Sequence, residues 1–170
     1  LNLIDKYNLF DWIFPKMIIN KNYIENNNPI LVIATLLLEN DSSKISNILN
    51  RSSYSNSDIE NIKFLVSLPL LSEDNIYEMK KSHGKTTLSD EEILEFANIN
   101  NLNTKLINSF LKYQTSVTGR DVMDIYNIEQ GPDVGKYIKR LELEKFKDMH
   151  NSNESYKFKH IVPFKKYYIT

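Results

Sequence analysis

Pro29-Ile30-Leu31-Val32-Ile33-Ala34-Thr35-Leu36-Leu37-Leu38-Glu39 contains the most apolar run in the chain, and reading it as helix or strand decides the fold. Asn26-Asn27-Asn28 ahead of it is loop-forming. Pro29 suits the first turn of a helix, where its missing N–H is no loss. The segment is expected to be a helix over 30–39, apolar nearly all round and therefore central to the core. Ile30 to Leu38 is nine residues long and includes Thr35, far short of a membrane span, so no membrane partner is expected.

Outward from this run, the same helical period recurs on both sides. Leu3, Tyr7, Phe10 and Phe14 lie three and four apart, predicting one amphipathic helix that runs to Pro15. Asp41-Ser42-Ser43 can cap a helix bearing Ile45, Ile48 and Leu49. Ser55 or Ser57 can cap one bearing Ile59, Ile62, Phe64, Leu65 and Val66, which stops before Pro69. A short helix follows Ser72 and breaks at His83-Gly84-Lys85. Ser89-Asp90-Glu91-Glu92 places a capping oxygen and three carboxylates at the positive end of the next. Asn103 or Thr104 opens a helix whose apolar face is Leu106, Ile107, Phe110 and Leu111. Only Tyr156 to Val162 alternates in strand fashion, after the polar Asn151-Ser152-Asn153. The expected fold is all-α: an irregular bundle of about eight helices with a short, basic, partly extended tail.

Composition narrows the chemistry. The 170 residues include no Cys, which removes disulfides, thiolate metal sites and cysteine nucleophiles. Three His lie far apart, without helical pairing, and four Gly are too few for a nucleotide-binding loop. No Asp-x-Asp exists for two-metal phosphoryl transfer. Asp121 and Asp124 read as helix-start and surface charge rather than metal ligands. Glu39-Asn40 stands where a metal-dependent phosphohydrolase would carry His-Asp, so that ligand is missing. Lys outnumbers Arg by 18 to 3, so the few arginines stand out for their bidentate geometry. Net charge is −1, but residues 136–170 hold nine basic and four acidic residues, while residues 1–135 hold twelve and eighteen. A basic C-terminal third is joined to an acidic body.

Val117 to Leu141 reads as helix, tight turn, helix. Thr118 is an N-cap, Val122, Met123 and Tyr126 face inward, and Asn127 is suited to a left-handed helix end with Ile128 packing the turn. Gly131 caps the next helix with Pro132 at its first position and Asp133 at its positive end. Val134, Ile138 and Leu141 form the expected buried stripe, and Gly135 leaves room for a helix or a phosphate. Lys136, Lys139 and Arg140 face outward. Two readings stay open on the residues alone: a phosphate cradle built from free amides, dipole and lysines, or an ordinary hairpin with solubilising lysines.

The stretches Thr118-Gly119-Arg120-Asp121 and Ile128-Glu129-Gln130-Gly131-Pro132-Asp133-Val134-Gly135 resemble the tail-proximal motif of bacterial-type (class II) tRNA nucleotidyltransferases and their poly(A) polymerase relatives. Asn127 replaces the Gly usual before Ile. Leu9-Phe10-Asp11-Trp12-Ile13-Phe14-Pro15 resembles the end of that family's neck, and Ser55 to Leu65 one of its body helices, in the same order. The resemblance covers roughly residues 1–148 and implies the end of a neck at 1–25, a helical body at 26–115 and a helix-turn-helix tail motif at 116–150; the residues beyond read as an arm at 151–170. It implies a cytoplasmic RNA-binding part that grips tRNA or another RNA 3′ end through its phosphates. Catalysis, with Mg2+ and CTP or ATP, would belong to a head absent from this chain, carried by the same polypeptide or a separate subunit; no cofactor is expected here. Glu73-Asp74 is followed by Tyr77 where the family's nucleotide template has Arg, and the chain opens on Leu1, as an excised piece of a longer protein would. The phosphate contacts expected from this reading are Arg120, Gly131, Asp133, Val134, Gly135, Lys136, Lys139 and Arg140, with Lys112 from the preceding helix. The rival reading is a non-catalytic helical module for protein interaction or assembly.

Overall fold

The computed structural model describes residues 2–20 and 26–152. The alternating segment at 156–162, and the arm from residue 153 onward, lie outside them. Within the described residues the chain is all helix and loop. It comprises α1 (Asn2–Lys6), α2 (Phe10–Ile13), α3 (Pro29–Leu36), α4 (Ser42–Arg51), α5 (Asn56–Ser67), α6 (Ile76–His83), α7 (Asp90–Ile99), α8 (Thr104–Lys112), α9 (Gly119–Tyr126) and α10 (Pro132–Ser152). Short 3-10 turns at Leu68–Leu70 and Glu73–Asn75 join α5 to α6. The eight helices from α3 onward, each of eight residues or more, form the expected bundle.

Local chemistry sets most of the boundaries. Asn28, Asp41, Ser55, Ser89, Asn103 and Thr118 each accept a backbone N–H at the start of α3, α4, α5, α7, α8 and α9. Ser89 and Glu92 close a reciprocal capping box, which explains the acidic run there. Two helices differ from expectation. The predicted helix over Leu3–Phe14 is broken at Asn8, whose φ of 52° is left-handed, and Leu9 N–H bonds back to Ile4 O at 2.9 Å. The break leaves Leu3 and Tyr7 exposed, while Phe10 and Phe14 are buried. α3 stops at Leu36 rather than Glu39 because its last carbonyls find other donors. Asn20 N–H bonds Leu36 O at 2.9 Å, and the Asn40 side chain bonds Leu37 O at 3.1 Å and Ile18 O at 2.6 Å. Asn40 is thus a tie between the N-terminal segment and the end of α3, and its neighbour Asp41 caps α4.

α3 and α4 pack on α5, α7 packs on α8 and touches α3, and α10 lies against α6, α8, α9 and the Glu73–Asn75 turn. One apolar cluster runs through all of this, from Phe10 through Leu31, Leu37, Leu49, Phe64, Phe96 and Phe110 to Phe146. Each such side chain stabilises the fold by about 1.5–3 kcal/mol through removal from water. α10 is antiparallel to α8: Tyr113 and Phe146 meet edge to face at 5.3 Å, and Ser109 bonds His150 Nδ1 at 3.0 Å. Through these contacts the tail hairpin shares the core of the body.

Candidate nucleic-acid interface

The hairpin is built as its local chemistry dictates. Thr118 and Asp121 form a capping box, with Thr118 N–H donating to Asp121 Oδ2 at 2.7 Å and Asp121 N–H to Thr118 Oγ1 at 3.2 Å. The Thr118 hydroxyl, which donates to Asp121 Oδ2 at 2.7 Å, and then the Thr118 N–H hold the Asp121 carboxyl below its usual range. Asp121 is therefore the reciprocal partner of the α9 cap. Asn127 ends α9 at φ 49°, ψ 50°, and Ile128 N–H reaches Met123 O at 3.3 Å. This is the left-handed ending expected at Asn127 from the sequence. Tyr126 stacks on Tyr137 with ring centroids 4.3 Å apart, tying the end of α9 to α10.

Several expected contacts look different in three dimensions. Val134, Ile138 and Leu141 are only half-buried; the fully buried side chains of α10 are Glu142 and Phe146. Gly135 faces open space, with nothing within 4 Å of a methyl placed there, and no helix approaches it. The glycine beside another helix is Gly119, where such a methyl would lie 3.5 Å from Val134 Cγ1. That contact sets the start of α9, and with it Arg120, beside the first turn of α10. Of the amides expected to cradle a phosphate, Pro132 has none and Val134 N–H is bonded to Gly131 O at 3.1 Å. Gly131 and Asp133 remain, both exposed.

The cations are exposed but mostly paired. Lys136 Nζ lies 2.7 Å from Asp133 Oδ1, which raises the Lys136 pKa. The carboxylate expected to favour the helix start therefore neutralises the nearest lysine. Lys139 pairs with Glu78 of α6 at 3.5 Å and Arg140 with Glu144 at 3.2 Å. Such exposed pairs are weak and exchange readily for another anion. Arg120 is exposed and has no ion-pair partner among the described residues. Lys112, also exposed, ends α8 next to Tyr113, which packs near the middle of α10. Glu142 lies ten residues beyond Pro132, which corresponds to about 15 Å of helix. The structure thus brings the start of α9, where Arg120 lies in sequence, against the first turn of α10, and leaves Lys112 beside Tyr113 near the middle of that helix.

The residue that sequence reasoning missed is Glu142, with 0% exposure. Its Oε1 accepts Ser116 N–H at 2.8 Å and Val117 N–H at 2.6 Å, and its Oε2 accepts the Tyr113 hydroxyl, which also lies 3.0 Å from Glu142 O. Lys145 Nζ donates to Ser116 Oγ at 2.9 Å on the next turn. Burial, and then the carboxylate, push the Tyr113 hydroxyl pKa well up. The available signal was spacing: Glu142 sits four residues from Ile138 and from Phe146, on the inward stripe of α10.

Among the described residues no three His, Cys, Asp or Glu side chains converge to hold a metal ion, and no helix is long and apolar enough to cross a membrane. The chain matches no protein-family model, no curated protein and no solved structure.

Proposed function

We propose that the chain is an RNA-binding module that holds backbone phosphates of tRNA or another RNA 3′ end, positioning that end for nucleotide addition by a catalytic head of the class II nucleotidyltransferase kind. The head would belong to the same polypeptide or to a separate subunit, and Mg2+ and CTP or ATP would be bound there. The observation that carries this reading is Arg120, an exposed arginine without an ion-pair partner among the described residues, next in sequence to Gly119, which packs on Val134 in the first turn of the helix that bears Lys136. A guanidinium so placed suits phosphate, and the paired Lys136, Lys139 and Arg140 can exchange their carboxylates for it. Recognition of this kind reads backbone and shape rather than sequence.

Filter binding of the chain to tRNA across a salt series tests the reading. Arg120→Glu, and Lys136→Glu combined with Arg140→Glu, should each weaken binding and flatten the salt dependence, by about one phosphate contact per lost cation. Unchanged affinity and slope in both variants would refute it. The second reading, a protein-interaction or assembly module, draws on a different observation: Leu3, Tyr7, Leu9, Trp12 and Ile18 are exposed, Trp12 by 85%. Concentration-dependent self-association in sedimentation, with no response to tRNA, would favour it.

A further inference from the structure

We infer that Glu142 is a positioning residue for the Arg120 contact: from inside the molecule it holds the segment that presents that guanidinium. The inference rests on the RNA-binding reading. Between α8 and α9 the chain crosses residues 114–117 without regular structure. Gln114, Thr115 and Ser116 are exposed, so packing does little to define their path. Two successive amides of that segment, Ser116 and Val117, point at a single carboxylate oxygen at 2.8 and 2.6 Å. A pair of consecutive N–H groups converging on one oxygen constrains the peptide plane between them, which a single bond would not.

From Val117 onward the constraint is continuous. Thr118 N–H is held by Asp121 at 2.7 Å, Asp121 N–H by Thr118 at 3.2 Å, and Gly119 sits against Val134. Arg120 lies inside this set and makes no ion pair among the described residues, so its position follows from the backbone that carries it. Glu142, wholly buried, cannot meet RNA itself and acts only through that backbone. The Tyr113 hydroxyl occupies the other carboxylate oxygen, on the side of the body.

The test separates positioning from bulk stability. Glu142→Leu removes both acceptors while filling a similar volume. Glu142→Gln retains one oxygen for the two amides and is the conservative rescue. Tyr113→Phe leaves both amide bonds intact. In filter binding to tRNA with the full chain, checked for folding by circular dichroism, Glu142→Leu should weaken binding about tenfold and flatten the salt slope by about one contact, as Arg120→Gln does. Glu142→Gln and Tyr113→Phe should bind as the native chain does. Combining Glu142→Leu with Arg120→Gln should give no further loss beyond Arg120→Gln alone. Val117→Pro removes one donor from the surface side, serves if Glu142→Leu does not fold, and should show the same loss. Native affinity and slope in Glu142→Leu or in Val117→Pro would overturn the inference, as would additive losses in the double variant. Failure of the native chain to bind tRNA at any salt would instead overturn the RNA reading, and this inference with it.

Discussion

Tyr113→Phe isolates the value of a single hydroxyl. The ring is 5% exposed and packs edge to face on Phe146, so phenylalanine fills the same space and leaves no cavity. What is lost is the hydrogen bond to the buried Glu142 carboxylate. A bond to a charged partner contributes about 1.5–3 kcal/mol, and the carboxylate left behind keeps its two amide donors, so the full cost of an isolated buried charge does not apply. The expected loss is about 2 kcal/mol, or roughly 4–8 °C in Tm for a chain of this size. Urea denaturation followed by circular dichroism at neutral pH reads it directly, provided the m-value is unchanged. The buried hydroxyl also has a signature at high pH, set first by its burial and then by the Glu142 carboxylate. Because folding raises the Tyr113 pKa above its ordinary 10.0, the native fold binds a proton there that the unfolded chain releases. The stability this contributes is whole below pH 10 and declines as pH rises beyond it, and Tyr113→Phe should lose less stability than the native chain over that range. A loss under about 0.5 kcal/mol, with identical alkaline profiles, would refute the reasoning by showing that the hydroxyl does not support the carboxylate.

Three further outcomes are expected. His83 lies between Phe64 and Phe110, with ring centroids 5.3 and 5.7 Å away, and burial followed by Lys80 lowers its pKa. The native state therefore favours neutral imidazole, and stability should fall as pH drops below 6.5, a dependence that His83→Gln should flatten in urea midpoints. Asn127→Ala should destabilise by about 1 kcal/mol in the same assay, because alanine bears the full cost of the left-handed conformation, while Asn127→Gly should be neutral or slightly stabilising. Thr118→Ala should cost about 1 kcal/mol through loss of the α9 cap, and hydrogen exchange should place the change in the amides of the first turn.

Much of the architecture was legible in the chain because its signals are local. Capping residues two or three positions ahead of an amide, proline at a helix start, asparagine at a helix end and apolar spacing of three and four act over a single turn. They correctly placed the starts of α3, α4, α5, α7, α8 and α9. The local rules failed where a distant partner intervened. The apolar spacing from Leu3 to Phe14 carried no warning of the break at Asn8, and the end of α3 depends on Asn20 and Asn40 coming in from outside the helix.

The candidate site divides along the same line. Sequence alone determined the hairpin: its caps, its turn and the outward stripe of Lys136, Lys139 and Arg140, all consequences of helical spacing within 24 consecutive residues, 117–140. Only the tertiary structure decided which charges are paired, since Lys139 finds Glu78 from a helix some 60 residues earlier in the chain. It also decided that Gly119, not Gly135, meets another helix, and that Glu142 is buried as an acceptor rather than exposed as surface charge. A carboxylate can be kept in a protein interior only where enough donors converge on it. Here those donors come from Tyr113, Ser116 and Val117, more than twenty residues away, and no pattern local to α10 could announce them.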